Sequence, residues 1–429
     1  MSDRVAELRR MLSLERPDLY GMQPIKEALA RELGSAEAAA QYAAGAGFRA
    51  ESRVSPRKVH SLREYARRHA RQYETLVPGR ALTLPAPPIF GGSKHGELPV
   101  RTREMFFCVL DDAVVSSKSN FLLGGPDALL DFQGNELEVL PANFDVDPIV
   151  VGPDEHGVTA IDASGAEVIE QGFALTGIHS WAFGHWMLEF LPKIWACRGR
   201  PGFDQVPIIV DRKMPPQHRE ALAFFVGESH PIIVLEPCRA LRVRQLWYCS
   251  ALIYFPPGSK PGVETAPDAM SLDGEAYARL LRNVVPAVSQ STSSSRRLYL
   301  TRKDHQARRI VNRIEVEDWL RRHDFAIHDF AELSFSRQLE LVREADLILA
   351  ADGSALLTTF FARPGAQIGV FSHELLDSFE WNLATFRALG IAMSVLVGAS
   401  VNKRADYAFF SDYRIELDTL APFLDSLVR

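Results

Sequence analysis

Cysteine is scarce in this chain, with four residues in a sequence of 429, at positions 108, 197, 238 and 249. No two of them form a C-x-x-C pair, so their spacing gives no sign of a zinc site or a dithiol redox motif. The low number also argues against a small scaffold held together by disulfides. We expect the four thiols to behave as small buried hydrophobic groups in a reducing compartment.

The chain also has no long apolar run, and we expect no secretory leader. The residues after Met1 predict a charged helix where a secretory signal would have its apolar core. The longest apolar run, from Leu246 to Pro257, is too short to span a bilayer and contains two prolines. We therefore expect a cytoplasmic protein.

Excess positive charge is lacking as well. Lys and Arg together number 48 and Asp and Glu 54, which gives a formal net charge of −6. A general nucleic-acid-binding protein normally carries a basic field, so we expect no nucleic-acid partner. Apolar residues make up 47% of the chain and charged residues 24%, which is usual for a soluble globular protein. The length suffices for two domains with separate cores.

The motifs of two common enzyme classes are absent or misplaced. Gly45 to Ala50 matches G-x-G-x-x-A, but no strand pattern precedes it, so we predict no dinucleotide site there. This weakens a Rossmann oxidoreductase hypothesis. A serine hydrolase is weakened because the sequence contains no G-x-S-x-G.

Composition along the chain predicts three regions. Residues 1–85 form a helical N-terminal extension rich in Ala, Arg and Glu, followed by domains at 86–288 and 289–429. A Pro- and Gly-rich stretch at 78–99 and a Ser/Thr-rich connector at 289–295 mark the boundaries. Within the extension, the basic stretch Lys58 to Arg71 is a solvated helix face, or alternatively a contact with an anionic lipid or acceptor.

Short strands separated by turns follow from Met105 to Val151 and predict an antiparallel meander. Near its end, Asp145-Val146-Asp147 has the D-x-D form that can hold a divalent cation. The tripeptide is short enough to occur by chance, and Pro148 indicates a turn. We therefore predict no metal site.

A helix is predicted from Phe183 to Arg198, where apolar residues recur at helical spacing. His185 and Glu189 are four residues apart, so they share a face and can bond to each other or to one ligand. Pro192 should kink or end the regular helix because it has no N–H. The pair forms either a cleft wall or an ordinary surface or core pair, and the residues alone leave both open.

Strands and helices alternate from Arg297 to Phe371, which predicts parallel β-α-β units in a doubly wound sheet. Ligands of such sheets bind beyond the carboxyl ends of the strands. Two of these ends carry Arg302-Lys303 and Asp352-Gly353-Ser354. A guanidinium, an ammonium and backbone N–H groups at a helix start favour a phosphate or diphosphate.

Four segments, in this order, together resemble glycosyltransferase family 61. They are His185 to Pro192, Arg297 to Arg302, Arg308 to Glu315, and Gly353 to Leu356. The resemblance extends from about Gly177 to Phe371. The chain departs from the family at three positions: Asp352 stands in place of a histidine, Arg313 in place of an acidic residue, and Glu189 in place of an aspartate.

The resemblance implies a GT-B-like α/β fold, in which two Rossmann-like domains face a cleft. It also implies an inverting, metal-independent transfer of a sugar from a nucleotide sugar, for which we expect a UDP-linked donor and no other cofactor. The acceptor would be a hydroxyl of a glycan, a lipid-linked molecule or a protein. A lipid-linked acceptor would allow peripheral contact with the inner membrane face.

The resemblance also suggests roles for the acid–base residues. Glu189 is the expected general base, with His185 orienting it or holding the acceptor, although the two roles could be exchanged. Asp352 either points towards a sugar hydroxyl or caps the helix that follows it.

The donor would be held by residues of the last region. Arg302 is the expected diphosphate ligand, supported by Lys303 and the backbone of Gly353, Ser354 and Ala355. Asn312 and Glu315 are expected to contact the nucleoside. Alternatively, Asn312 caps the helix that follows it and Glu315 is a surface carboxylate.

A second hypothesis follows from the departure at Asp352. The protein could be a non-catalytic family member that binds a sugar nucleotide or glycan and acts as a scaffold in polysaccharide assembly. The donor sugar, the acceptor and the linkage cannot be read from the sequence, because the family spans several sugars and a fold does not determine a substrate.

Overall fold

The computed structural model describes residues 54–86, 88–90, 96–133, 147–154, 157–161, 163, 165–254, 271–285, 296–303, 308–373, 380–401 and 411–428. These residues form a mixed α/β structure, as predicted. The strands, numbered in chain order, are β1 (Val54–Ser61), β2 (Gln72–Val77), β3 (Ala81–Leu84), β4 (Ile89–Phe90), β5 (Leu98–Arg101), β6 (Met105–Ser116), β7 (Phe121–Gly124), β8 (Asp127–Leu130), β9 (Val150–Asp154), β10 (Gly157–Ile161), β11 (Glu167–Ala174), β12 (Ile208–Asp211), β13 (Ile232–Leu235), β14 (Ala240–Cys249), β15 (Arg297–Thr301), β16 (Phe325–Asp329), β17 (Leu347–Ala351), β18 (Gln367–His373), β19 (Ala392–Val401) and β20 (Asp412–Arg414).

The helical segments differ in type. The α-helices are Leu62–His69, Phe183–His185, Leu191–Cys197, Pro216–Val226, Gly274–Val284, Arg313–Arg321, Phe335–Glu344, Glu380–Leu389 and Leu417–Val428. A π turn spans Trp186–Phe190, and 3-10 helices span Phe203–Gln205, Phe330–Glu332 and Ser354–Phe361.

The chain divides into two compact units whose segments interleave in sequence. The first consists of Met1–Gly79, Arg103–Pro215 and Val226–Met270. The second consists of Arg80–Thr102, Pro216–Phe225 and Ser271–Arg429. The predicted boundaries at 85/86 and 288/289 do not coincide with this division.

The described residues of the first unit contain an 11-stranded sheet with the order β13-β12-β11-β14-β6-β7-β8-β1-β10-β9, and β2 also pairs with β6. Strands β11 to β14 pair only in parallel with one another. Among themselves they have the 3-2-1-4 order of a Rossmann half, so the chain changes direction across the sheet between β11 and β14. Such a switch point is where a ligand is expected, beyond the carboxyl ends of the strands.

The rest of this sheet is largely antiparallel. β6 pairs antiparallel with both β14 and β7, and β7 pairs antiparallel with β8. This confirms the predicted meander for β6 to β8. Phe106, Leu110 and Leu246 belong to a buried cluster on one face of the sheet. Burial of such apolar side chains is favourable, which explains why the apolar strand β6 lies in the interior.

The predicted helical extension is wrong for part of its described residues. Val54–Ser61 is strand β1, which pairs in parallel with β8 and antiparallel with β10. Gln72–Val77 is strand β2, and only Leu62–His69 between them is helical. Leu62 and Ala66 are buried, so this helix packs one face into the core and leaves the other to its basic residues. Residues 1–53 lie outside the described part of the chain.

The described residues of the second unit contain a 7-stranded sheet with the order β16-β15-β17-β18-β19-β20, with β4 beside β19. β15 to β19 are parallel throughout. Their order, counted from β15, is the 2-1-3-4-5 of flavodoxin-like sheets, with the switch point between β15 and β17. The β-α-β units predicted for this region are therefore confirmed.

Burial explains why the central strands of this sheet do not alternate apolar and polar residues. Every residue of β17, from Leu347 to Ala351, is buried, because a parallel sheet is covered on both faces. Phe423 and Leu427 of the last helix belong to the cluster on one face. The GT-B arrangement of the two units stays a prediction. Among the described residues, no helix has the length and apolar character needed to cross a membrane.

Candidate functional site

A widened helical turn lies after the switch point of the first unit. The residues from Phe183 to Cys197 are helical, as predicted, but Trp186–Phe190 forms a π turn. The N–H of Leu191 donates to the carbonyl of Trp186, five residues earlier. Pro192 has no N–H to complete a regular bond to Leu188, which favours the wider turn. The irregularity expected at Pro192 is therefore present, and it buries Glu189.

His185 and Glu189 form a direct pair on this segment. His185 Nδ1 lies 2.8 Å from Glu189 Oε2. The histidine side chain is 24% exposed and the carboxylate 8%, so the imidazole is the outer member of the pair. A carboxylate bonded to one ring nitrogen fixes the tautomer and leaves Nε2 as the atom that could take a proton from a hydroxyl.

A third residue, His179, stacks on this pair. Its ring centroid lies 4.0 Å from that of His185, with 21° between the ring planes. Burial, followed by the neighbouring His185, lowers the pKa of His179 to about 3, so this imidazole stays neutral. The sequence interpretation missed His179. Its position five residues beyond the end of β11, at a Rossmann switch point, is the signal that could have identified it.

A buried carboxylate fixes the turn that carries His179. Asp211, the last residue of β12, accepts hydrogen bonds from the backbone N–H of Gly177 at 3.1 Å and from Ser180 Oγ at 2.7 Å. It also accepts bonds from Ser117 Oγ and the Lys118 N–H. Asp211 therefore ties the turn at 177–180 to the carboxyl end of the sheet.

A buried ammonium lies one turn beyond Glu189 on the same helix. The Lys193 Nζ is 5.3 Å from the centre of the Phe190 ring and 5.4 Å from that of Tyr248. Burial lowers the pKa of Lys193, while Asp131, Cys249 and Glu189 act in the opposite direction. Asp131 itself accepts a 2.8 Å bond from Arg103 Nη2. Lys193 was also missed from the sequence, although its i+4 spacing from Glu189 places both on one helix face.

The second group of candidates lies at the switch point of the second unit. Arg302 follows β15 directly, and Asp352 follows β17. Arg302 Nη1 donates to the backbone carbonyl of Asp352 at 2.5 Å. Burial, followed by the neighbouring Arg308, lowers the pKa of Arg302. The structure thus brings together the two strand ends that the sequence predicted to share a ligand.

The lack of a side chain at Gly353 leaves room for this contact. A Cβ at position 353 would lie 2.8 Å from Arg302 Nη1 and 2.9 Å from its Cζ. The guanidinium therefore packs against the glycine backbone, at the start of the 3-10 helix Ser354–Phe361. Ser354 is exposed and Ala355 partly buried. Their N–H groups lie in the first turn, where a helix leaves its donors unsatisfied.

Asp352 does not cap this helix. The N-cap residue is Gly353, and no side chain makes a capping bond there. The Asp352 carboxylate instead accepts a 3.0 Å bond from Arg308 Nη1, and both side chains are mostly buried. The capping alternative is therefore wrong.

Lys303 points to a carboxylate on a neighbouring segment. Its Nζ lies 3.1 Å from Glu332 Oε2, and its side chain is 39% exposed. Its backbone N–H donates to Asp329 Oδ2 at 3.1 Å. An exposed pair of this kind is weak, so an anionic ligand could compete for the ammonium.

Asn312 and Glu315 occupy different environments. Asn312 is buried; its Nδ2 donates to the carbonyl of Ile415 at 2.8 Å, and its Oδ1 accepts from the Ile415 N–H at 3.2 Å. Asn312 is the N-cap residue of the helix Arg313–Arg321, as one alternative expected, but its side chain makes no capping bond there. The Glu315 side chain is 57% exposed and lies 3.7 Å from Arg414 Nη1. Nucleoside contact by these residues stays a prediction.

Asp147, the described aspartate of the D-x-D sequence, is held by hydrogen-bond donors of its own unit. Asp147 is fully buried and accepts bonds from Ser119 Oγ, the Asn120 N–H and the Ile149 N–H. These contacts give the carboxylate a structural role. Asp145 lies outside the described residues. In the part of the chain that the structure describes, no group of three or more His, Cys, Asp or Glu side chains could hold a metal ion.

Comparison with known families identifies the region that contains both groups of residues. Residues 183–369 match the family model described as Glycosyltransferase 61. The match includes the His185–Glu189 pair, Arg302 and the turn at Asp352, and it confirms the resemblance drawn from the sequence. No curated protein matches the chain. Residues 183–369 are therefore similar to glycosyltransferase family 61.

Proposed function

We propose that the protein is an inverting, metal-independent glycosyltransferase that moves a sugar from a nucleotide sugar to a hydroxyl acceptor. The family 61 match supports glycosyl transfer. The observation that carries the finer proposal is the cationic switch point of the second unit, where Arg302 is held against Gly353 and beside Arg308. Guanidinium groups can neutralise a departing diphosphate without a metal ion.

The donor is a nucleoside diphosphate sugar, for which we expect UDP. Arg302 binds the diphosphate, and the N–H groups of Gly353, Ser354 and Ala355 add donors at the helix start. Lys303 exchanges Glu332 for a phosphate oxygen. Glu315, which is exposed, is better placed than the buried Asn312 for a nucleoside contact.

The general base is His185, with Glu189 as its orienting partner. This reverses the first preference drawn from the sequence, and the exposure of the two side chains favours the exchange. In the reaction, Nε2 of His185 takes the acceptor proton as the oxygen attacks the anomeric carbon. The bond between that carbon and the phosphate oxygen breaks, and its electron pair stays on the phosphate oxygen. The configuration at the anomeric carbon is inverted. Glu189 stabilises the imidazolium that forms.

The acceptor is a glycan, a lipid-linked molecule or a protein, and the reaction takes place in the cytoplasm. A lipid-linked acceptor would bring the enzyme to the inner membrane face. Asp352 in place of a histidine favours one alternative, a non-catalytic member that binds a sugar nucleotide or glycan and acts as a scaffold in polysaccharide assembly.

Ligand binding and turnover with the full chain separate these possibilities. We expect one nucleotide class in a thermal-shift panel of UDP-, GDP- and CMP-sugars to raise the melting temperature equally with and without EDTA. Release of the nucleoside diphosphate in the presence of acceptor glycans would establish transfer. Stabilisation that EDTA abolishes would contradict the metal-independent proposal, and binding without transfer to any acceptor class would favour the scaffold.

A further inference from the structure

Arg302, Arg308 and Asp352 lie together at the switch point of the second unit. The two guanidinium groups are held in different ways. Arg302 donates to a backbone carbonyl and packs on a glycine, so the fold itself fixes it. Arg308 is held by a side chain, the carboxylate of Asp352 at 3.0 Å. Arg302 is a permanent part of the site, whereas the partner of Arg308 can be exchanged by a side-chain rotation.

The backbone around Arg308 is anchored independently of this ion pair. The N–H of Arg309 donates to Asp412 at 2.9 Å, and the N–H of Val311 donates to the carbonyl of Tyr413. Arg308 itself has φ of 56°, in the left-handed region that is unfavourable for a residue with a side chain. The guanidinium can therefore turn away from Asp352 while its backbone stays in place.

We infer that Asp352 is an internal counter-anion that competes with the donor diphosphate for Arg308. This inference rests on the proposed function. Without donor, the carboxylate neutralises a mostly buried guanidinium that would otherwise be costly to desolvate. When a diphosphate binds to Arg302, Arg308 turns from the carboxylate to a phosphate oxygen and becomes the second cationic ligand.

The exchange has a clear electrostatic basis. The diphosphate of a nucleotide sugar carries two negative charges and accepts paired bonds from guanidinium groups, so it competes well with the single charge of Asp352 for Arg308. Asp352 remains nearby as a negative charge and limits the affinity for both the donor and the released nucleoside diphosphate. A direct contact of Asp352 with an acceptor hydroxyl would have to displace Arg308 as well.

Binding of UDP and of inorganic pyrophosphate to the full-length protein tests this inference by calorimetry. Asp352→Asn keeps the size of the side chain and removes its charge, so we expect both ligands to bind about tenfold more tightly. Asp352→His, which restores the family residue, should also bind them more tightly. Asp318→Asn is the matched control, because it removes an exposed ion-paired carboxylate from the helix Arg313–Arg321.

Each outcome has a distinct meaning. If the wild type binds UDP and Asp352→Asn binds it equally or more weakly, the counter-anion inference is wrong while the proposed function stands. If neither protein binds any nucleotide or pyrophosphate, both proposals fail. A crystal of the wild type with UDP provides a second measurement that does not depend on a variant: Arg308 on the phosphate supports the inference, and Arg308 still on Asp352 overturns it.

Discussion

The imidazole rings of His179 and His185 stack with centroids 4.0 Å apart. Two imidazoles this close cannot both carry a positive charge at low cost, and the more buried one is the one kept neutral. His179 therefore offers His185 a flat, uncharged surface. The carboxylate of Glu189 hydrogen-bonds to the outer ring, that of His185.

The low pKa of His179 predicts a specific pH dependence of stability. Its pKa is about 3 in the folded protein, below the usual 6.5, so between these values the unfolded state binds more protons. This contribution to the unfolding free energy is complete above pH 6.5 and is lost as the pH falls towards 3, by at most about 1.4 kcal/mol per pH unit. His179→Gln should remove it, so urea unfolding curves of the two proteins should converge between pH 7 and pH 4.5. A difference between the two proteins that stays constant over this pH range would contradict this.

The relative loss of kcat on substitution of His185 and of Glu189 identifies the general base. If His185 takes the proton, His185→Gln should lower kcat by about 10²- to 10⁴-fold with little change in donor affinity. Glu189→Gln should lower kcat less, because the imidazole remains. The measurement is turnover with saturating donor, together with the donor Kd from calorimetry. A larger loss in Glu189→Gln than in His185→Gln would instead make Glu189 the base.

Gly353→Ala should weaken donor binding through Arg302. The added Cβ would lie 2.8 Å from Arg302 Nη1 and must push the guanidinium away. We expect about a tenfold loss of UDP affinity, as for removal of one charge-assisted bond. Gly96→Ala is a matched control, because a Cβ there has no atom within 4 Å. Equal UDP affinity in both variants would mean that Arg302 does not bind the phosphates.

Asn312→Ala should affect stability more than binding. Both ends of its amide bond to the backbone of Ile415, and truncation leaves those buried groups without partners. The expected loss is about 1–3 kcal/mol of unfolding free energy. The measurement is chemical denaturation alongside UDP binding at a temperature where the variant is folded. Glu315→Gln, at an exposed position, should leave stability unchanged, and a drop in its UDP affinity would support a nucleoside contact.

The sequence predicts the second unit well because its signals are local. Leu347–Ala351 is a continuous apolar run bounded by polar residues, and the turn at Asp352 follows it at once. Such runs specify buried parallel strands, and the topology then places strand ends together. The helix at 183–198 and its irregularity at Pro192 follow from composition in the same way.

The misses arise where distant pairing decides the structure. Val54–Ser61 contains a proline and basic residues, yet it is a strand because β8 and β10 hold it from both sides. Local propensity is weak compared with such pairing. His179, Lys193 and Arg308 were not chosen as site residues, because their partners come from other elements or from stacking that sequence spacing does not reveal.

The π turn at Trp186–Phe190 also constrains the length of its segment. Each residue of an α-helix advances the chain by about 100° around the axis. Removing a single residue from this turn would let an ordinary helix form. The side chain of His185 would then lie on a different side of the helix. The alignment of His185 with Glu189 thus depends on one surplus residue, as much as on the identity of either partner.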